Sequence, residues 1–305
     1  EDLKNLFEQA EITGARGNNT FVVNDLDRSI RVGNTAVAVL DWRGTVTLDN
    51  AANDSASPEH LLITMPAESQ AIVIINSSDA DLSDRLVVTG SDNADRFLLT
   101  ATGTDANATG MIQLREFRRG QTGLFDAMRV LHQGVEAVEI NSRGGDDRFA
   151  VRTLHARTTL NTGAGNDAIY VGSNATLGDL GQPDTNTGGN LNAINALLTI
   201  NGQGSADSDL LDLDDTTDTN SNHGTLTSTR ITNGVVGSGT TLRLFAAGGS
   251  ITYGTLESLV IHLGGSAGQG NAFTVESTHG VGSLTTVSSR AGADVFNIET
   301  LTGDL

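Results

Sequence analysis

One segment sets the pattern of this chain: residues 161 to 171 read Asn161-Thr162-Gly163-Ala164-Gly165-Asn166-Asp167-Ala168-Ile169-Tyr170-Val171. Glycine permits backbone conformations with positive φ, and Asn and Asp tolerate them and hydrogen-bond to nearby amides. In a strand, Ile169 and Val171 point to the same face. The segment therefore predicts a glycine-rich turn that directs a short strand toward a core.

Looser copies of this unit recur, each with a turn, an Asp or Asn, a spacer and a large apolar residue. With Asp167 included, the acidic or amide positions are Asn19, Asp95, Asp147, Asp167, Asn271 and Asp294. Their successive separations are 76, 52, 20, 104 and 23 residues, mostly near multiples of about 20, a period typical of solenoids in which stacked coils bury a continuous core. We expect an all-β, elongated parallel β-helix or β-solenoid, with tandem β-sandwich domains divided near residues 80 and 200 as the alternative.

The same pattern predicts the core. Apolar residues at alternate positions after each turn should face inward. They are Phe21, Val23, Phe97, Leu99, Phe149, Val151, Ile169, Val171, Leu211, Leu213, Phe273, Val275, Phe296 and Ile298.

A longer repeat divides the chain. Residues 130–140 align with 251–261 at an offset of 121, and 167–171 align with 294–298 at 127. Because 251–263 is β-branched and alternating, we predict strands rather than a helix for 124–140 as well. The predicted organisation is an N-terminal β section over 1–80, followed by repeat units over 81–203 and 204–305. Asp2 to Ala10 is predicted as either a short capping helix or a frayed tail.

Charge and composition exclude several classes of function. The formal net charge of −19 excludes a general phosphate-binding surface, because nucleic-acid affinity depends on cationic neutralisation of phosphates. No apolar run approaches the roughly 20 residues of a membrane helix, so we expect no membrane insertion. The chain has no cysteine, no initiator methionine and no signal-peptide pattern, which indicates a processed product or part of a longer protein.

The excess of carboxylates requires hydration or bound cations, and calcium is the natural candidate. Outside the repeat turns, the acidic segment 207–224 carries Asp218, Asn220 and Asn222 at alternating positions, as in calcium loops, while Asp212 and Asp214 would share one strand face. Its glycine falls one position late and no glutamate closes it at the twelfth place, so it is not an EF-hand. A solvated acidic loop is the alternative.

The turn residues Asp95, Asp147, Asp167 and Asp294 are also predicted calcium ligands. The alternative to calcium is an Asp that caps turn amides.

Residues 162–170 match the nonapeptide G-G-x-G-x-D-x-U-x except at its first position. The chain therefore resembles the large, secreted, repeat-built bacterial surface proteins with haemolysin-type (RTX) turns. The resemblance implies calcium held between successive turns by the Asp and by turn carbonyls. It also implies an extracellular or cell-surface adhesin, matrix component or toxin tail.

We expect a non-catalytic structural protein that forms a segment of a surface filament, sheath, matrix or adhesin. Its expected partners are copies of itself stacked head to tail, adjacent repeats of a longer chain, and surface glycans. The sequence contains no nucleophile elbow, zinc-protease helix or phosphate loop. The alternatives are a polysaccharide-binding adhesin module and a β-helix polysaccharide lyase or hydrolase, the enzyme being suggested by the arginines at 115, 118, 119 and 129. The simpler interpretation of these arginines is pairing with carboxylates.

Overall fold

A computed structural model provides the structure. It describes seven strands between residues 9 and 77 by their backbone alone. From residue 85 it describes the chain except 104–107, 118–123, 180–181, 204–206, 235–241, 281, 303 and 305, and it describes side chains there except those of 116–128.

The strands are short, and Gly, Asn and Asp are common in the turns between them. The first eight are β1 (Gln9–Thr13), β2 (Thr20–Val23), β3 (Arg28–Val32), β4 (Thr35–Leu40), β5 (Thr45–Asn50), β6 (His60–Thr64), β7 (Ala71–Ser77) and β8 (Arg85–Thr89). The next eight are β9 (Asp95–Thr102), β10 (Thr109–Phe117), β11 (Leu124–Gln133), β12 (Ala137–Asn141), β13 (Arg148–Val151), β14 (Arg157–Gly163), β15 (Ala168–Val171) and β16 (Leu197–Gly202). The last eight are β17 (Leu210–Asp214), β18 (His223–Thr227), β19 (Arg230–Asn233), β20 (Ser250–Gly254), β21 (Ser258–His262), β22 (Ala272–Val275), β23 (Leu284–Ser288) and β24 (Val295–Ile298).

The architecture is all-β, with two mixed sheets in which most neighbouring strands are parallel. Sheet A has the order β1-β5-β7-β11-β10-β9-β13-β15-β17-β21-β23, and sheet B has the order β2-β6-β8-β12-β14-β16-β20-β19-β18-β22-β24. Along much of the chain, successive strands alternate between the two sheets, as in β12 to β18. Both sheets continue across residues 80 and 200. In sheet A, β7 pairs with β11 and β15 pairs with β17; in sheet B, β6 pairs with β8 and β16 pairs with β20.

Antiparallel pairs occur where extra strands are inserted. Strands β9, β10 and β11 form such an insertion in sheet A, and β18, β19 and β20 form one in sheet B. The aligned segments 130–140 and 251–261 both run from the last strand of an insertion to a strand of the opposite sheet. The prediction of strands over 124–140 is therefore confirmed. Strands β3 and β4 form a further antiparallel pair.

Side chains from both sheets bury one shared core. Phe97 and Phe149 of sheet A stack with ring centroids 4.9 Å apart, and they belong to the same apolar cluster as Leu160 and Ile200 of sheet B. Full burial of a large apolar side chain contributes about 1.5–3 kcal/mol. All predicted core residues from Phe97 to Val275 are confirmed as buried, whereas the side chains of Phe21 and Val23 lie outside the described residues.

The prediction that Phe296 and Ile298 belong to the core is wrong. Phe296 and Ile298 of β24 are 40% and 50% exposed, because on its free side β24 has no neighbouring strand among the described residues. Most of the possible N-terminal helix lies in residues 1–8, outside the described part, and stays a prediction; Gln9 and Ala10 belong to β1. Among the described residues there is also no helix that is long and apolar enough to cross a membrane.

Candidate functional site: a ladder of turn carboxylates

An acidic residue stands at the start of five strands of sheet A, and together these residues form what we call the acidic ladder: Asp95, Asp147, Asp167, Asp209 and Glu257. Each backbone amide donates a hydrogen bond to the side chain of the next member. The distances are 2.7 Å from Asp95 N to Asp147 Oδ1, 2.8 Å from Asp147 N to Asp167 Oδ1, 2.9 Å from Asp167 N to Asp209 Oδ1 and 2.8 Å from Asp209 N to Glu257 Oε2. The ladder ties successive turns to one another.

A second ladder repeats this arrangement in sheet B. The Asn222 amide donates to Asn271 Oδ1 at 2.9 Å, and the Asn271 amide donates to Asp294 Oδ1 at 2.8 Å. Here the amide groups supply donors as well, because Asn222 Nδ2 donates to Asp215 Oδ2 and Asn271 Nδ2 donates to the Gly264 carbonyl. Asn and Asp thus occupy equivalent positions in the two ladders.

Glycine allows the turns to stack closely enough for these bonds. Gly163 has φ of +86°, and a Cβ there would lie 1.9 Å from the Arg143 carbonyl oxygen. Gly165 has φ of +132°, and its Cβ would lie 2.2 Å from the Gly145 carbonyl oxygen. Both the backbone conformation and the close contact exclude a larger residue.

The acidic ladder is buried and its charges are incompletely compensated. Asp95, Asp147, Asp167 and Asp209 are at most 1% exposed, and Oδ2 of the last three is buried without a hydrogen-bond partner in the described structure. Burial is the largest cause that raises the pKa of all four carboxyls. The pKa reaches about 6 for Asp95, 8 for Asp147, 7 for Asp167 and 6 for Asp209, and neighbouring carboxylates contribute to the increase.

Asp294 differs because it lies at the end of its ladder. Burial alone would raise the pKa of this carboxyl, but hydrogen bonds from the Asn271 amide and the Ser289 hydroxyl together lower it. Ser289 Oγ donates to Asp294 Oδ2 at 2.7 Å. In contrast to the four buried aspartates of the acidic ladder, the ionised form of Asp294 is therefore favoured.

Most predicted ligand residues of the acidic segment 207–224 are hydrogen-bonded to other groups of the protein. Asp214 accepts the Gly189 amide, and Asp218 accepts the Asn220 amide and the Asn192 side-chain amide, both at 2.8 Å. Asn222 belongs to the second ladder. Asp212 is separate from these residues: its Oδ1 lies 3.9 Å from His262 Nε2 and has no hydrogen-bond partner in the described structure.

The ladder has suitable donor chemistry for calcium but supplies only part of a coordination shell. Calcium takes six to eight oxygen ligands, whereas the acidic ladder offers one unpartnered carboxylate oxygen at each of three turns. In the part of the chain that the structure describes, no three His, Asp or Glu side chains are grouped so that they could hold one ion. Calcium binding by the predicted residues therefore stays a prediction.

Arginine side chains on the outer face of sheet A meet carboxylates from the segment after β15. Arg96 Nη1 lies 2.6 Å from Asp184 Oδ1, and Arg148 Nε lies 3.4 Å from Asp184 Oδ2. Arg115 lies 3.8 Å from Asp179, while residues 118 and 119 are outside the described ranges. Of the predicted arginines, Arg115 therefore faces a carboxylate, and Arg129 lies on β11.

Sequence reasoning missed Asp209 and Glu257. Both precede the same pattern as the other ladder members, an apolar residue two and four positions later: Leu211 and Leu213 after Asp209, and Leu259 and Ile261 after Glu257. That pattern was the available signal. The sequence-based prediction also assumed that each Asp caps amides of its own turn. The hydrogen bonds in the structure instead join residues 20 to 52 positions apart.

Comparison with known proteins leaves the function to be argued from this geometry. No protein-family model matches the chain, and no curated protein matches it significantly.

Proposed function

We propose that the chain is a non-catalytic extracellular structural protein, a β-solenoid segment of a surface filament, sheath, matrix or adhesin. The ladders support this proposal because their side chains accept hydrogen bonds from the backbone of the neighbouring turn, and so connect one turn to the next. A body held together by such bonds can be lengthened by adding further turns of the same kind.

The observation that carries the proposal is the apolar surface of β24. Phe296 and Ile298 pair in register with Phe273 and Val275, which are each 1% exposed. The two core positions thus continue into β24 but are left 40% and 50% exposed there. A further strand with apolar residues at matching positions would bury them and pair with the free edge of β24.

In this proposal, that strand belongs to a second copy of the chain or to an adjacent repeat of a longer polypeptide. Head-to-tail contact between copies is heterologous and does not close, so it produces a filament. Calcium bound at the turn carboxylates is the proposed stabiliser of the stack, with Asp294 at the exposed end of the second ladder.

The test is sedimentation velocity and negative-stain electron microscopy of the purified chain, in calcium and again in excess chelator. We expect the wild-type chain to form end-to-end oligomers. The double substitution Phe296→Ser and Ile298→Ser should abolish them. Val295→Ser is the matched control, because Val295 is 62% exposed on the same strand but alternates to its other face. Monodisperse rods whose size does not change with calcium would refute the proposal that the chain assembles with copies of itself. Oligomers that persist in chelator would refute the proposed role of calcium in the assembly.

A further inference from the structure

The outer face of sheet B contains a shallow groove of about 200 Å³. Its lining includes Arg85, Ala137, Glu139, Arg157, Thr159 and Thr199. The register of β8, β12 and β14 explains its shape, because Arg85, Ala137 and Arg157 occupy equivalent positions on adjacent strands. The small Ala137 side chain between two arginines leaves the depression.

The groove contains one arginine whose charge is not compensated by the protein. Arg85 forms an ion pair with Glu139, and Glu139 also accepts a hydrogen bond from Asn141 Nδ2 at 3.0 Å. The exposed Arg157 side chain makes no hydrogen bond or ion pair with the described residues. In a chain with a net charge of −19, an unpaired guanidinium in a groove is an unused site for an anion.

A row of polar side chains beside this arginine crosses the neighbouring strands. Glu139, Thr159 and Thr199 are in register on β12, β14 and β16, so the two threonine hydroxyls follow the carboxylate along the groove. Beside them, Asn161 Nδ2 donates to Asn141 Oδ1 at 2.6 Å, and Asn201 Nδ2 donates to Asn161 Oδ1 at 2.8 Å. These side-chain bonds fix the adjacent row and keep the surface preorganised.

We propose that this groove binds a mainly neutral glycan that carries a single carboxylate sugar. The Arg157 guanidinium pairs with the sugar carboxylate, for which its planar donor arrangement is suited. The hydroxyls of Thr159 and Thr199 exchange hydrogen bonds with sugar hydroxyls. A polyanion is disfavoured because the groove offers one unpaired cation beside Glu139 on an acidic protein. This activity is independent of the proposed structural role.

Isothermal titration calorimetry on the full chain tests the proposal at low ionic strength. The probe is aldotetrauronic acid, a xylose oligomer that bears one glucuronate, and xylotetraose is its neutral counterpart. We expect saturable binding of the acidic probe and at least tenfold weaker binding of the neutral one. Arg157→Gln should weaken binding of the acidic probe at least tenfold and remove its preference over xylotetraose.

Matched variants separate this site from a general effect of charge or folding. Arg290→Gln removes the same charge from an exposed arginine after β23 and should leave binding unchanged. Ala137→Leu fills the groove without changing charge and should abolish binding, with circular dichroism confirming that the variants fold. Absence of saturable binding, equal binding by Arg157→Gln, or equal binding of a glutamate peptide of the same charge would each overturn the proposal.

Discussion

Asp147→Asn tests the acidic ladder most directly. An asparagine retains the Oδ1 atom that accepts the Asp95 amide at 2.7 Å, and it removes the charge whose other oxygen is buried without a partner. Asn271 shows that this residue type is compatible with the equivalent position of the second ladder. The substitution therefore changes the charge while preserving the bond between turns.

The expected effect follows from the raised pKa of Asp147. The pKa of its carboxyl is 3.8 when unperturbed and about 8 in the folded protein, so the folded state binds the proton more tightly than the unfolded state. The wild-type free energy of unfolding must then fall as pH rises from 3.8 to about 8. At about 1.4 kcal/mol per pH unit, the loss between pH 4 and pH 7 is about 4 kcal/mol, an upper bound because Asp95 and Asp167 share the repulsion.

The assay is urea unfolding of both proteins from pH 4 to pH 8 in chelator. The difference in free energy of unfolding, variant minus wild type, should increase by up to about 4 kcal/mol between pH 4 and pH 7. The comparison with wild type matters because burial lowers the pKa of His132 to about 3, which gives both proteins an opposite pH dependence between 3 and 6.5.

Asp146→Asn is the control, because it removes a carboxylate from an exposed residue of the same turn and keeps the Oδ1 atom that accepts the Asn166 amide. The same change in the difference for both variants, or no change with pH for Asp147→Asn, would refute the proton-binding account. A different result would indicate calcium binding. In that case Asp147→Asn would be less stable than wild type at pH 7, and added calcium would raise the wild-type free energy of unfolding by an equal amount, because the carboxylate would be ionised and bound to the cation.

The remaining predictions use the same unfolding assay. Gly163→Ala should cost at least about 2 kcal/mol, because its Cβ would lie 1.9 Å from a carbonyl oxygen, whereas Gly268→Ala, with a similar φ of +87° and open space, should cost about 1 kcal/mol; equal costs would contradict the steric argument. Phe149→Ala should cost about 3–5 kcal/mol and Phe296→Ala less than half as much, because the first is fully buried and the second is 40% exposed. Asp184→Asn should cost about 2–3 kcal/mol by leaving two partly buried arginines without their carboxylate, and a cost below about 0.5 kcal/mol would show that these ion pairs contribute little.

Local patterns were sufficient to predict most of the strands and the core. Asp147 followed by Phe149 and Val151, or Asp167 followed by Ile169 and Val171, specifies a turn and the buried face of the next strand through neighbouring residues alone. The same local rule failed for Phe296 and Ile298. Their side chains have the orientation of core residues, but burial also requires an adjacent strand.

The sequence by itself determined an acidic, cysteine-free, all-β chain whose turn residues stand before inward-facing apolar pairs, because turn preference and strand alternation act over a few residues. Only the tertiary structure decided which turns lie side by side. Asp167 is bonded to Asp209 rather than to Asn271, since the intervening segments vary in length and the two ladders belong to different sheets. Burial of the carboxylates, their raised pKa values and the unpaired Arg157 likewise arise from residues distant in sequence, and no local pattern contains them.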